Sequence, residues 1–344
     1  MAACSCAESD PAAMAAFSKL RGITAMIEEL LNVVVRKREL QGDGVVVLDL
    51  IRNDGAPLPA FDAGAHVDIH IAPGLVRQYS LCSNPADPSV YRLGVLKDPA
   101  SRGGSLGVHD TLLEGRELQI STPRNLFPLA GEARRTILLG GGIGITPMIA
   151  MAYTLQASGQ HFELHYCGRE RGRSAFLDEL ASSPFAQKVH THFDDEGLEQ
   201  RLDLARVLGS GEAGLHLYTC GPAGFMEWVI QGARDQGYTE EHIHKEYFQV
   251  EVDSSGASFE VVAARSGKTV QVAEGQSILA ALAQVGIKIE ISCEQGVCGT
   301  CLCDVLEGEP DHRDVYLTDD EKAANDQILV CCSRAKSKQL VLDI

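Results

Sequence analysis

Three features are missing from this chain of 344 residues, and each absence removes a class of function. No apolar run reaches the ~20 residues that a membrane-spanning helix needs. The most apolar stretch, 136–151, is broken by Gly140-Gly141-Gly142 and by Pro147. Basic residues are in deficit: 30 Lys and Arg against 47 Asp and Glu leave a formal charge of −17. Nucleic acid and anionic lipid are gripped by clustered Lys and Arg, so neither is an expected partner. An acidic surface suits solubility and the steering of a basic partner or a neutral small molecule. The first residues, MAACSCAESD, lack a basic segment followed by an apolar core. No secretory signal is therefore expected, and the expected location is the cytoplasm.

Cysteine, by contrast, is plentiful. Eleven cysteines in a chain without an export signal read as metal ligands, redox groups or buried small hydrophobes, not as disulfides. Composition is otherwise that of a globular protein, 45% hydrophobic and 22% charged. At roughly 150 residues per domain the length predicts two or three domains.

The pattern along the chain predicts three. Residues 1–24 read as a flexible extension, in which Cys4 and Cys6 lack the neighbours a metal pair needs. Over 25–130 short runs rich in Val, Ile and Leu recur at 33–36, 45–51, 66–71, 76–83, 91–96 and 117–121, separated by turn residues such as Gly42-Asp43-Gly44 and Pro73-Gly74. Many short strands with little helical period predict a small antiparallel β-barrel. Over 131–248 strands at 135–139, 162–167, 188–193 and 215–220 alternate with helices near 147–158, 175–182 and 222–236. That alternation predicts a doubly wound parallel α/β sheet. Residues 249–257 read as a linker, and 258–344 as a cysteine-bearing α+β unit that opens on a hairpin and a helix capped by Ser277.

The strongest motif is Ser292-Cys293-Glu294-Gln295-Gly296-Val297-Cys298-Gly299-Thr300-Cys301, with Cys331 thirty positions further on. Cys-x4-Cys-x2-Cys with one distant cysteine is the plant-type 2Fe–2S spacing. Two ferric ions bridged by sulfide need four thiolates, three of which a tight loop can supply, and glycines let that loop turn N–H groups toward sulfur. Zinc usually takes two Cys-x2-Cys pairs, and only one is present. Cys331 follows the strand at 327–330 directly and is preferred to its neighbour Cys332 as fourth ligand. Cys303 lies outside the four-ligand spacing and reads as a packed thiol.

Two turns suit a dinucleotide. Gly140-Gly141-Gly142-Ile143-Gly144-Ile145-Thr146-Pro147 follows a strand and opens a helix, where glycines admit a pyrophosphate and free N–H groups meet it. Thr146 is expected to cap that helix and Pro147 to take its first position. A later strand ends at Cys220-Gly221-Pro222, which places Cys220 at the carboxyl edge of the sheet. Glu170, just past the second strand, is placed to bond a ribose hydroxyl and repel a 2′-phosphate; Arg169, Arg171 and Arg173 nearby argue the other way.

In the barrel, Arg77-Gln78-Tyr79-Ser80 offers a ring to lie on a flavin, a guanidinium for phosphate and a hydroxyl for a ring nitrogen. Arg102-Gly103-Gly104-Ser105 can hold phosphate by N–H groups and a hydroxyl, although Arg102 and Lys97 also read as ordinary surface charges. His190, His192, His242 and His244 form two His-x-His pairs, each on one strand face. Without further placed ligands these read as exposed strand.

Taken in order, Arg77-x-Tyr79-Ser80, Gly103-Gly104-Ser105, Gly141 to Pro147, Cys220-Gly221-Pro222, Glu246-Tyr247-Phe248 and the C-terminal cysteines resemble the phthalate dioxygenase reductase and vanillate O-demethylase reductase family. The resemblance covers about 33–344. It implies a ferredoxin–NADP reductase-like FMN barrel, an NADH domain and a C-terminal β-grasp ferredoxin with a 2Fe–2S cluster. Carried over by motif, Arg77, Gln78, Tyr79, Ser80, Leu96, Lys97, Gly103, Gly104, Ser105, Thr146 and Phe248 would surround FMN. Gly141, Gly142, Gly144, Glu170, Cys220, Gly221 and Pro222 would meet NADH. Cys293, Cys298, Cys301 and Cys331 would bind the cluster. Ser80, Thr146 and Cys220 would orient the reacting rings.

The implied activity is passage of electrons from NADH, singly, to a terminal Rieske-type non-haem iron oxygenase. A cytochrome P450 or free ferredoxin as acceptor, or a non-catalytic iron–sulfur sensor, are the rival readings. The acidic stretch 307–321 reads equally as a docking surface or a solvated loop.

Overall fold

The computed structural model describes residues 30–131, 133–211 and 214–344. The extension expected over 1–24, with Cys4 and Cys6, lies outside the described residues, as do 25–29.

The first sheet is antiparallel throughout. Its strands are β1 (Leu31–Gln41), β2 (Val45–Arg52), β3 (Ala65–Ala72), β4 (Leu75–Ser80), β5 (Tyr91–Leu96), β6 (Glu117–Ile120) and β7 (Arg124–Asn125), with helix α1 (Gly104–Thr111) between β5 and β6. They are ordered β4-β3-β6-β1-β2-β5, and β7 pairs with β3. A bridge between Leu81 and Leu93 brings the two ends together, so the sheet closes into a barrel. Period-two patterning drives this. Leu31, Val33 and Val35 of β1 are buried while Asn32 is exposed, and β-branched side chains favour the extended backbone.

The second sheet is parallel: β8 (Arg135–Gly141), β9 (Phe162–Gly168), β10 (Val189–Phe193), β11 (Leu215–Cys220) and β12 (Ile243–Glu246), in the order β10-β9-β8-β11-β12. Helices α2 (Ile145–Ala157), α3 (Leu177–Ser182), α4 (Leu204–Leu208) and α5 (Ala223–Asp235) connect the strands. The chain leaves β8 toward β9 and returns to its other side at β11. The carboxyl ends of β8 and β11 are thus the switch point at which such sheets bind ligands.

The third sheet is mixed. It contains β13 (Phe259–Ala263), β14 (Lys268–Val272), β15 (Leu302–Glu307), β17 (Gln327–Leu329) and β19 (Gln339–Leu342) in the order β14-β13-β19-β15-β17, and β16 (Pro310–Asp311) pairs with β18 (Arg334–Ala335). The parallel β13–β19 pair between antiparallel neighbours, with α6 (Ile278–Gln284) packed on it, is a β-grasp arrangement. Ser277 caps α6 by accepting the Ala280 N–H, as expected, and α7 (Asp319–Ala324) opens on a Thr318/Glu321 capping box. The run 249–257 has no helix or strand, and Arg313 pins it by donating to the carbonyls of Asp253 and Ser255.

Two facts about the core position the site. One apolar cluster runs unbroken from the barrel (Val33, Leu48, Tyr91) into the parallel sheet (Met148, Phe176, Cys220). The β-grasp unit has a separate core built on Phe259, Ile278, Leu282, Ile328 and Leu340. Barrel and parallel sheet are also joined by Arg92, which holds buried Asp49 with two nitrogens at 2.7 and 3.0 Å and reaches Glu179 of α3 at 3.0 Å. Gly94 of β5 permits this approach: a Cβ there would lie 2.7 Å from the Phe176 ring and 3.0 Å from Thr146 Cγ2.

Candidate functional site

The cysteine loop takes its shape from three left-handed residues, Glu294, Gly296 and Gly299, at φ 56°, 73° and 75°. At both glycines space as well as φ forbids a side chain. A Cβ on Gly296 would lie 2.5 Å from Cys332 Sγ, and one on Gly299 2.3 Å from the Tyr316 ring. The loop gathers Cys293, Cys298 and Cys301, and Cys331 joins them from the end of β17; all four are buried. Cys293 Sγ accepts the Gln295 N–H at 3.3 Å, and Cys298 Sγ is 3.2 Å from the Thr300 hydroxyl. A hydrogen bond from Cys293, aided by Thr300, pulls the Cys298 thiol down to about 5. Cys331 shares hydrogen bonds with Cys301 and Cys332 and is pushed up by them.

Cys332 itself leans on the Leu329 carbonyl and the Ser333 hydroxyl, beneath Gly296. Cys303 is a buried thiol against the Cys301 carbonyl. Four converging thiols, with the Gln295 N–H aimed at sulfur and the Thr300 hydroxyl beside Cys298, fit a 2Fe–2S cluster. Asp314 and Tyr316, which wall the loop, carry no motif in the sequence.

This loop is clamped to the barrel. Arg102 Nη2 donates to the Cys293 carbonyl at 2.5 Å and Arg77 Nη1 to the Ser292 carbonyl at 2.9 Å. Glu294 faces both guanidiniums, at 3.5 Å from Arg77 and 3.9 Å from Arg102. Ser292 Oγ donates to buried Asp68, which Arg124 holds at 2.6 Å. The sequence offered Arg77 only as a phosphate ligand and left Arg102 a choice of surface charge. Their reach to a loop about 200 residues away is visible only in three dimensions.

Beside the clamp lies the Gly103–Ser105 loop, expected from the sequence to cradle phosphate. Gly103 has φ 89° and no side chain caps α1, so its first N–H groups are free for an anion. Gly104 packs under Arg77, and Ser105 Oγ closes the loop by accepting the Asp98 N–H at 3.0 Å. Gln78 Nε2 is buried without a hydrogen-bond partner, an orphan donor that a flavin would satisfy. Tyr79 is half-buried on the core, while Leu96 and Lys97 are exposed at the end of β5. These surroundings fit a flavin phosphate and ring.

Ser80 reaches out of the barrel to the parallel sheet and donates to Glu246 Oε2 at 3.2 Å. Glu246 is the strand partner of Cys220, so the carboxyl, the thiol and the hydroxyl meet at the switch point. Loss of hydration pushes the Glu246 carboxyl up to about 8, and burial, then Glu246, pushes the Cys220 thiol up. The carboxyl is therefore held as the neutral acid at pH 7. Sequence alone gives Glu246 no role, since its partner Ser80 lies 166 residues away. Phe248 packs on the shared core, and Gln249 Nε2 donates to Asp98 at 2.8 Å, drawing the end of this unit to the cradle loop.

At the dinucleotide turn the structure corrects the expected cap. Helix α2 starts at Ile145 after a 3-10 turn over Gly142–Gly144, Gly144 is its N-cap and no side chain caps it. Thr146 sits inside the helix and donates back to the Ile143 carbonyl at 3.0 Å, and Pro147 takes the third position. No side chain competes with a pyrophosphate at this turn, although the Ile145 N–H is already bonded within the 3-10 turn and Pro147 has none. Gly142 supplies the left-handed turn, and Gly144 lets the turn approach the Cys220 carbonyl, which a Cβ would meet at 2.3 Å. Phe225, one turn into α5, packs over Gly141 and Gly221, and Pro222 is the N-cap of α5. Arg171 is bound to Glu196, and Arg173 to Asp43 at 2.9 Å and to exposed Glu170 at 3.5 Å. Two of the three arginines near the ribose position thus already have carboxylate partners.

The 2Fe-2S iron-sulfur cluster binding domain family matches residues 261–336. Vanillate O-demethylase oxidoreductase of Pseudomonas sp. (strain HR199 / DSM 7063) is 48% identical over 317 residues, 92% of this chain and 100% of that protein. The chain belongs to this family of oxygenase reductases. Phthalate dioxygenase reductase, whose structure is described as modular for electron transfer from pyridine nucleotides to [2Fe-2S], superposes on 92% of the reductase and 98% of its own length, with TM-score 0.71 and 36% identity. An intact type IV self-sufficient cytochrome P450 monooxygenase matches 97% of the reductase with TM-score 0.80 and 36% identity, and the reductase spans 44% of that longer chain. The reductase is an electron-transfer oxidoreductase with a 2Fe–2S unit at residues 261–336. Among the described residues, no helix is long and apolar enough to cross a membrane.

Proposed function

We propose that the reductase takes electron pairs from NADH and delivers them singly, through FMN and a 2Fe–2S cluster, to a terminal Rieske-type non-haem iron oxygenase in the cytoplasm. The observation that carries this is the clamp: Arg102, at the head of the Gly103–Ser105 cradle, holds the carbonyl of Cys293. The cradle and the cysteine loop are therefore held against each other, so that groups bound at the two would be neighbours.

When bound, FMN accepts two electrons together and passes them on one at a time, which the cluster requires. The chain's own groups bind, orient and exclude water. Arg77, Gln78 and Gly103 to Ser105 would hold the phosphate and the edge of FMN, Tyr79 and Phe248 would flank its ring, and Leu96 and Lys97 would border it. Thr146 and the turn that opens α2 would seat NADH, with Gly141, Gly142, Gly144, Gly221 and Pro222 giving it room and Glu170 at the ribose. Ser80, Cys220 and Glu246 would line the meeting point of the two rings, where the neutral Glu246 carboxyl keeps a proton beside the Ser80 hydroxyl. Cys293, Cys298, Cys301 and Cys331 would ligate the cluster.

An anaerobic NADH titration followed by visible absorbance and EPR tests the reading. Two electrons bleaching a flavin and one generating a reduced-cluster signal are expected; a protein that binds neither group overturns it. Delivery to a haem monooxygenase is the second reading, favoured by the likeness to the self-sufficient P450. Reconstitution with each class of acceptor separates the two.

A further inference from the structure

The parallel sheet carries a histidine cluster that electron transfer does not use. His165 of β9 is the strand partner of His190 of β10, and His192 is two residues further along the same face. The His165 ring stacks on His190 at 4.9 Å and on His192 at 5.3 Å. Glu163, two residues before His165, shares its face. The sequence showed only the exposed His190-x-His192 pair and lacked further ligands; the neighbouring strand supplies them.

The hydrogen bonds fix which ring nitrogens carry protons. His192 Nδ1 lies 2.9 Å from the Gln200 carbonyl, which can only accept, so this nitrogen is protonated. The neutral ring then has a bare Nε2, and His165 Nδ1, at 3.0 Å from it, must donate. That leaves His165 Nε2 as a lone pair. Only 4% of this side chain is exposed, and Nε2 has no hydrogen-bond partner. It points instead toward Glu163 Oε2 at 3.4 Å, while Oε1 of the same carboxylate is held by Arg135 at 2.8 Å. A lone pair facing a carboxylate oxygen is unfavourable unless a proton or a metal cation lies between them.

We propose that Glu163, His165 and His190 form a site for a zinc-type divalent cation at the edge of the parallel sheet, with His192 fixing the tautomer of His165. The donor atoms of the three residues lie within 4.8 Å of one another. Two ligands at the usual zinc distances stand about 3.4 Å apart across a tetrahedral edge, which the Glu163–His165 separation already matches. His190 is exposed and free to swing in, and water completes the set. A ligating histidine whose second nitrogen donates to a fixed acceptor is the usual outer arrangement of such sites. The cation would tie edge strand β10 to β9 and, through His192, to the Gln200 turn.

Equilibrium dialysis of the holoprotein against zinc chloride, with zinc and iron counted together, tests the site. Wild type is expected to hold one zinc per chain more than His190→Ala, a surface variant that leaves β10 intact, at equal iron content. Zinc should raise the melting temperature of the wild type and not that of His190→Ala. His192→Ala should keep the stoichiometry and weaken zinc by about 10- to 100-fold. If wild type takes up no more zinc than His190→Ala, the site does not exist; if His192→Ala binds as tightly as wild type, the role given to His192 is wrong.

Discussion

Adjacent thiols can have different fates. Cys331 reaches Cys301, whereas Cys332 is turned beneath Gly296 onto Leu329 and Ser333. Cys331→Ser is expected to abolish the visible and EPR signals of the cluster, and Cys332→Ser to retain them, checked by iron content after anaerobic purification. The 2Fe–2S unit was legible because the spacing of Cys293, Cys298 and Cys301 is local and stereotyped, whereas the choice of Cys331 over Cys332 turns on a one-residue shift at the end of β17. Glu246 was illegible for a related reason: its environment comes from the barrel, and a carboxylate is raised only by what surrounds it.

That environment gives a pH test. The folded carboxyl holds its proton up to about 8, against an ordinary value of 4.5, so the folded state binds more protons than the unfolded one between them. Stability from this group is complete below about 4.5 and is lost as pH rises through about 8. Melting temperatures of wild type minus Glu246→Gln should fall over that interval and level off above it. Ser80→Ala removes one hydrogen bond at the same place and should slow flavin reduction by NADH about tenfold in stopped flow, with cluster content unchanged.

At the scale of elements, close approach is carried by residues without side chains. Gly94→Ala would drive a methyl into Phe176 and Thr146, with an expected loss of about 1–3 kcal/mol in denaturant unfolding. Arg102→Ala, an exposed change, should leave NADH-to-flavin transfer intact and slow the following transfer to the cluster, read as separation of the two absorbance phases. Strand and helix types were legible from period and turn residues, because strong patterning fixes an element's kind more firmly than its ends. The error at α2 shows the limit: a Thr before a Pro reads as a cap, yet the 3-10 turn of Gly142–Gly144 starts the coil earlier and puts the Thr146 hydroxyl back on Ile143.

For the whole molecule, the charge of −17 sets how the reductase meets its acceptor. Part of the acidic stretch 307–321 is spoken for, since Asp311 binds Arg313, Glu309 binds Lys336 and Glu321 closes a capping box. Asp319 and Asp320 remain exposed in α7, and Val315 lies 41% exposed with its N–H on the Gly296 carbonyl. With a basic acceptor, raising salt from roughly 20 to roughly 500 mM should lower kcat/KM for that acceptor about tenfold while leaving ferricyanide reduction unchanged. The order of sheets was legible from the alternation of patterns. Which sheets share a core was not, because that depends on faces that pair only after folding.

The division of the core also bears on engineering. An apolar interior common to the barrel and the parallel sheet ties those two together, whereas the β-grasp unit meets them through a polar seam of arginines, Asp68 and Ser292. A seam of that kind can be cut and rejoined without exposing an oily surface. Chimeras that exchange the C-terminal unit between relatives are accordingly expected to fold when the charges at the joint are preserved.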